Sequence, residues 1–134
     1  MSENVRGRST AEVGTRVVHR RYVPYSHAHY AGNLVDGAYS LAAFGDVATE
    51  MCIVTDGDEG LFASYSDVQF LAPVRAGDVI EISGELVRVG RRSREMTFEV
   101  RVVGRGNPDR GASAADVLSP PIVATTARGV VVVP

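Results

Sequence analysis

The sequence has no lysine and no tryptophan, a single cysteine, and only three histidines among its 134 residues. Each shortage closes off some chemistry. Without a lysine amine, covalent catalysis through a Schiff base is excluded. A lone cysteine, Cys52, cannot form an internal disulfide, which suits a reducing cytosol, and cannot build a Cys-rich structural zinc site. No uninterrupted apolar run approaches the roughly 18 to 20 residues that span a bilayer, so no membrane partner is expected. All the basic residues are arginines, yet the formal net charge is −2, without the basic excess of a nucleic-acid binder. Neither a P-loop nor a GxSxG elbow occurs. The N-terminal MSENVRGRSTAEVGTR is polar and lacks the apolar core of a secretion signal. Together these absences lead to the expectation of a cytoplasmic protein.

What is present fits one globular domain, with 45% apolar residues, enough for a single core. Residues 1–15 read as a flexible N-terminal arm and residues 16–134 as the domain. Residues 16–23 (RVVHRRYV) read as a strand stopped by Pro24. The loop YSHAHYAGN follows. Residues 34–54 contain no proline, and their apolar or small positions Leu34, Ala38, Leu41, Gly45, Ala48 and Cys52 recur with the helical period. Asp36, Ser40, Ala43, Asp46 and Glu50 fall on the opposite side. Asn33 is a plausible N-cap, and Asp56-Gly57-Asp58-Glu59-Gly60 supplies the turn that ends the helix. Gly45 in mid-helix costs about 1 kcal/mol relative to alanine, which implies a packing reason.

Strands are expected at 61–71, 78–89, 93–103 and 122–133. Met96, Phe98, Val100 and Val102 alternate with Glu95, Thr97, Glu99 and Arg101, the pattern of a strand with one buried face. Residues 104–119 read as a long loop. The fold class is therefore α+β, a long helix on one face of a five-stranded antiparallel sheet. The other face of that sheet is left for solvent or a partner, so dimerisation is a natural expectation.

The helix wrapped by such a sheet, with the tight turn VRAGD, resembles the hotdog fold of acyl-CoA thioesterases and dehydratases. The segments HAHYAGNLVDGA, FGDVATE, DGDEGLF, FLAPVRAGD and SAADVLSPPIV resemble, in order, those of the 3-aminobutyryl-CoA and β-alanyl-CoA ammonia lyases. The resemblance covers about residues 16–134. It implies reversible conversion of a 3-aminoacyl-CoA such as 3-aminobutyryl-CoA to a 2-enoyl-CoA and ammonia, within amino-acid (lysine) degradation. It also implies no metal or prosthetic group, coenzyme A being part of the substrate, and a homodimer or a trimer of dimers.

That chemistry assigns candidate roles. Removal of the weakly acidic α-proton of a thioester needs a base and a stabiliser for the enolate oxygen. The helix start, kept open at Gly37, offers unpaired N–H groups and the positive end of the dipole. Glu50 is the first candidate for proton transfer, with Asp46 one turn away as its partner. Close like charges would raise the pKa of at least one of them; a solvated polar face is the plainer account of both. Asp36 is a candidate for the substrate ammonium, or simply a first-turn carboxylate. His29 could orient substrate or shuttle a proton, whereas a loop histidine, like His27, is more often a surface hydrogen-bonder. Tyr30 and Asn33 could bind the thioester or line the acyl pocket. Arg91, Arg92 and Arg94 crowd one hairpin and could pair with CoA phosphates, against the alternative of a solvated turn. Cys52 reads as an inert core residue. A thioesterase on the same scaffold and a non-catalytic acyl-CoA-binding module are the alternative functions.

Overall fold

The structure is a computed structural model that describes residues 9–134. The elements run β1 (Arg16–Tyr22), β2 (Ala28–Tyr30), β3 (Leu34–Val35), α1 (Gly37–Asp56), β4 (Leu61–Phe70), β5 (Val79–Val89), β6 (Ser93–Gly106) and β7 (Ala115–Val132). Five strands form one antiparallel sheet in the order β1-β5-β6-β7-β4, and β2 pairs with β3 in a small ribbon. The helix lies across one face of the large sheet, as the pattern predicts.

The face that α1 buries differs from the expected one by a single position. Ser40, Phe44, Val47 and Met51 form the centre of the buried stripe, with Ala43, Ala48, Cys52 and Thr55 beside them. The expected stripe through Leu41 and Gly45 is thus rotated by about 100°. Bulk decides the matter, because large apolar side chains gain most from leaving water. Phe44 stacks on Phe98 of β6 with ring centroids 5.0 Å apart. Gly84 of β5 lets the helix approach closely, since an added Cβ would stand 2.7 Å from Val47. Gly45 instead faces open space, with no atom within 4 Å of an added Cβ. Its packing reason does not lie within this chain.

Both helix ends also shift. The N-cap is Asp36 rather than Asn33, with the Asp36 carboxylate accepting from the Tyr39 N–H at 3.1 Å. Asn33 sits at φ 61° in a turn, and its carbonyl accepts from the Ala76 N–H at 2.9 Å. Gly57 closes the helix in the left-handed conformation at φ 65°, as a C-terminal glycine should.

The alternation in β6 is as expected: Met96, Phe98, Val100 and Val102 are buried. Its outward residues form cross-strand ion pairs, Glu95 with Arg128 of β7 at 2.9 Å and Arg101 with Glu81 of β5 at 3.6 Å. The loop expected over 104–119 is shorter than the sequence suggests. β6 continues to Gly106 and β7 starts at Ala115. Pro120 and Pro121 lie in β7 beyond the last β4 partner, where Phe70 faces Thr125. One side of β7 is free there, so a missing N–H costs nothing.

Of the expected flexible arm, residues 1–8 lie outside the described residues, and Ser9 to Thr15 is tied down. Thr10 N–H donates to the Thr55 carbonyl and Gly14 N–H to that of Leu86, each at 2.7 Å. The VRAGD turn is anchored by Asp78, which is buried and accepts from Arg105 at 2.8 and 2.9 Å and from the Arg75 N–H at 2.7 Å.

Candidate active site

The helix start is the first half of the site. Ahead of it, Gly32 and Asn33 take positive φ, which turns the chain so that β2 and β3 pair and bring His29 and Tyr30 back toward Asp36. His29 Nδ1 stands 3.9 Å from Asp36 Oδ2, and its ring meets Tyr30 edge-on at 4.6 Å. Because Asp36 takes the Tyr39 N–H, the Gly37 and Ala38 N–H groups remain without an intrahelical acceptor. A cleft of about 460 Å³ opens here, lined by Tyr30, Asp36, Gly37, Ser40, Phe70 and Thr125 together with apolar residues of the 71–74 segment. Gly37 lets the Phe70 ring lie against the helix start, since an added Cβ would stand 2.5 Å from it and the exposed ring would have to move. Asn33 turns the other way and lines a neighbouring cleft with Arg75 and Arg105.

The second half lies farther along α1. Asp46 and Glu50 share an exposed face, but each meets a basic partner from β1 rather than only the other carboxylate. Arg21 donates to Asp46 at 2.9 Å, and its guanidinium lies 5.8 Å from the Tyr39 ring centroid. His19 Nε2 meets Glu50 Oε1 at 2.5 Å. Sequence reasoning passed over His19, although the signal was there. Buried Val17 and Val23 set the phase of β1, and a period of two places His19 and Arg21 on the helix-facing side.

The arginine hairpin does not reach the cleft of its own chain. Arg94 is buried and bound to Asp56 through two hydrogen bonds of 2.7 and 3.0 Å, while also capping the Gly90 and Ser93 carbonyls. An arginine so committed has no donors left for a phosphate, which corrects its expected role in CoA binding. Burial alone would raise the Asp56 carboxyl, but hydrogen bonds from Arg94, Ser9 and Thr55 hold it below the ordinary carboxylate value. Arg91 and Arg92 are exposed on the same hairpin, beside the C-terminal end of α1 and a helix length away from Gly37. Cys52 is buried, and burial, reinforced by Asp56, pushes its thiol up to about 11. It stays a neutral core residue.

Comparison with known proteins agrees with this architecture. The sequence profile of the thioesterase superfamily matches residues 32–108, from the turn before the helix through β6. The 3-aminobutyryl-CoA ammonia lyase of Acetoanaerobium sticklandii is 55% identical over 107 residues, spanning 80% of this chain and 85% of that protein. The β-alanyl-CoA:ammonia lyase of Clostridium propionicum superposes with a TM-score of 0.85 at 37% identity, covering 91% of this chain and 87% of that one. A hexameric broad-specificity acyl-CoA thioesterase shares the fold, with a TM-score of 0.68 at 18% identity over 88% of this chain and 79% of its own. With that profile match and 55% identity over four-fifths of its length, the chain belongs to the thioesterase superfamily of hotdog-fold proteins, and within it to the family of the 3-aminobutyryl-CoA ammonia lyase.

Proposed function

We propose that this protein is a 3-aminoacyl-CoA ammonia lyase acting on a short substrate such as 3-aminobutyryl-CoA. The observation that carries the reading is the 55% identity with a 3-aminobutyryl-CoA ammonia lyase over four-fifths of the chain. In the elimination, Glu50 takes the α-proton and the electrons of that C–H bond form the new C=C bond. The C–N bond breaks, and its pair leaves on neutral ammonia. The thioester oxygen, which carries the developing charge, lies against the free Gly37 and Ala38 N–H groups at the positive end of α1. Asp36 holds the substrate ammonium, with His29 and Tyr30 at the rim. In this reading protein groups do the acid–base and electrostatic work, and no metal or prosthetic group takes part.

One geometric fact bears on assembly. Glu50 lies 13 residues along α1 from Gly37, a separation of about 20 Å at the helical rise, too far for both to serve one thioester in a single copy. We propose a homo-oligomer in which the Glu50 of one copy completes the cleft of another, built on a homodimer and extending to a trimer of dimers. What supports it is the open face of α1 at Gly45 and the exposed Leu61, Phe70 and Leu71 at the unpaired edge of β4. A cytoplasmic location fits the lone, buried Cys52, and we propose a role in amino-acid (lysine) degradation, a reading that the reaction class of the relative supports.

The test mixes purified protein with crotonyl-CoA and ammonium and follows loss of the enoyl absorbance. Amination is expected; folded protein that aminates no short enoyl-CoA overturns the reading. The superfamily match favours one second reading, an acyl-CoA thioesterase, which free-thiol release from short acyl-CoAs would reveal.

A further inference from the structure

We propose that Ser40 and Thr125 form a polar floor for the cleft that receives the nitrogen leaving from, or adding to, the β-carbon. The proposal rests on the aminoacyl-CoA reading above and adds to it a determinant of amine specificity.

The walls of the cleft, Leu34, Val35, Phe70, Leu71, Pro73 and Val74, are apolar. They suit a short hydrocarbon chain and offer nothing that separates an aminoacyl group from a plain one. At the floor, two hydroxyls meet. Ser40 comes from the first turns of α1 and Thr125 from β7, opposite Phe70 in the sheet register. They are 3% and 2% exposed, and both line the cleft. Thr125 Oγ1 donates to Ser40 Oγ at 3.2 Å.

A hydroxyl carries one proton and two lone pairs. After that single bond, the Ser40 proton has no protein acceptor among the described residues, and the Thr125 lone pairs are also unclaimed. Thr55, the other buried hydroxyl on α1, shows what a purely structural hydroxyl looks like here. Its single proton is claimed within its own helix, by the Met51 carbonyl or the Asp56 carboxylate, each at 2.8 Å. The next layers of the same helix–sheet contact use apolar groups, with Ala43, Phe44 and Val47 of α1 buried in one core with Phe98, Val100 and Ala127 of the sheet. Alanine and valine would fill the space at 40 and 125 equally well, and buried polar groups left unpaired are costly.

The leftover groups match nitrogen in both of its protonation states. An ammonium needs acceptors, which the Thr125 lone pairs and the Asp36 carboxylate on the same cleft provide. Ammonia departing with its electron pair needs a donor, which the Ser40 proton provides. Asp36 attracts the charge, and the hydroxyl pair fixes where the nitrogen sits.

Steady-state amination tests this with ammonium and crotonyl-CoA varied separately. For Ser40→Ala and for Thr125→Val the KM for ammonium should rise about tenfold, the equivalent of one lost hydrogen bond, with the KM for crotonyl-CoA within about twofold. Thr125→Ser, which keeps the hydroxyl, should restore the wild-type value and guards against misfolding of the valine variant. An unchanged ammonium KM in Ser40→Ala, or an equal rise in both KM values, overturns the assignment while leaving the lyase reading intact. A wild-type protein without any amination overturns both.

Discussion

The helix begins and ends on the same dipeptide, Asp36-Gly37 at one end and Asp56-Gly57 at the other, and the two are put to opposite uses. At the C-terminal end, Asp56 is sealed against Arg94 by two short hydrogen bonds and Gly57 closes the turn at positive φ. The Ile53 and Thr55 carbonyls there are likewise taken by N–H groups of the chain itself. At the N-terminal end, Asp36 caps one N–H and leaves two free, Gly37 is a helical residue pressed by Phe70, and a cleft lies open beside them. The lesson concerns where a fold of this size spends its polar groups. The end that must hold the helix to the sheet is closed, and the end that must meet a substrate is left with donors and acceptors to spare.

The largest effect expected from breaking this contrast is on folding. Arg94→Met leaves the buried Asp56 carboxylate without its partner and should cost about 3–5 kcal/mol, measured by chemical unfolding. A double variant with Asp56→Leu should recover most of that loss, since removing both charges leaves none buried alone. The pH dependence should change sign with the single variant. In the wild type the Asp56 carboxyl is held below its ordinary value, so the pair's contribution is present above about pH 4 and is lost as pH falls through the depressed value. In Arg94→Met the carboxyl is desolvated and unpaired, its protonation favours the folded state, and mild acid should stabilise the variant.

Next in size is a change that spares folding and removes chemistry. Glu50→Gln should lower kcat by roughly 10² to 10⁴-fold, the range for a lost general base, while the unfolding midpoint stays near that of the wild type because the side chain is about half exposed. An equal loss of stability would place Glu50 among the structural carboxylates with Asp56. The smallest effect tests the open end itself. Asp36→Ala should cost about 1 kcal/mol as a lost cap, and Asp36→Asn should keep the cap yet still weaken binding of the 3-aminoacyl-CoA, read as a higher KM. If Asn behaves as wild type in both assays, Asp36 is a cap and nothing more.

How much of this was legible beforehand depends on the range of the interaction involved. The strand alternation around Met96 to Val102 and the Gly57 terminator were plain, because period and turn chemistry are local properties of the chain. The carboxylates Asp46 and Glu50 could be placed on one helix face, yet their partners His19 and Arg21 could not, since each pair joins residues about 25 to 31 positions apart in the chain. Arg94 read like its neighbours Arg91 and Arg92 because nothing local shows that one of three arginines turns inward to meet Asp56. The helix face was misjudged by one residue because small side chains were counted as equal to large ones.

By itself, then, the sequence determined the α+β class, the single helix with its strands, the family segments and the neighbourhood of the chemistry, all of them matters of period, composition and short motifs. Only the tertiary structure decided which Asp-Gly is a lock and which a mouth, which arginine is buried, and that Ser40 and Thr125 meet at the floor of a cleft. Those outcomes depend on which distant side chains become neighbours, and a buried charge or hydroxyl takes its role from the partner that packing gives it.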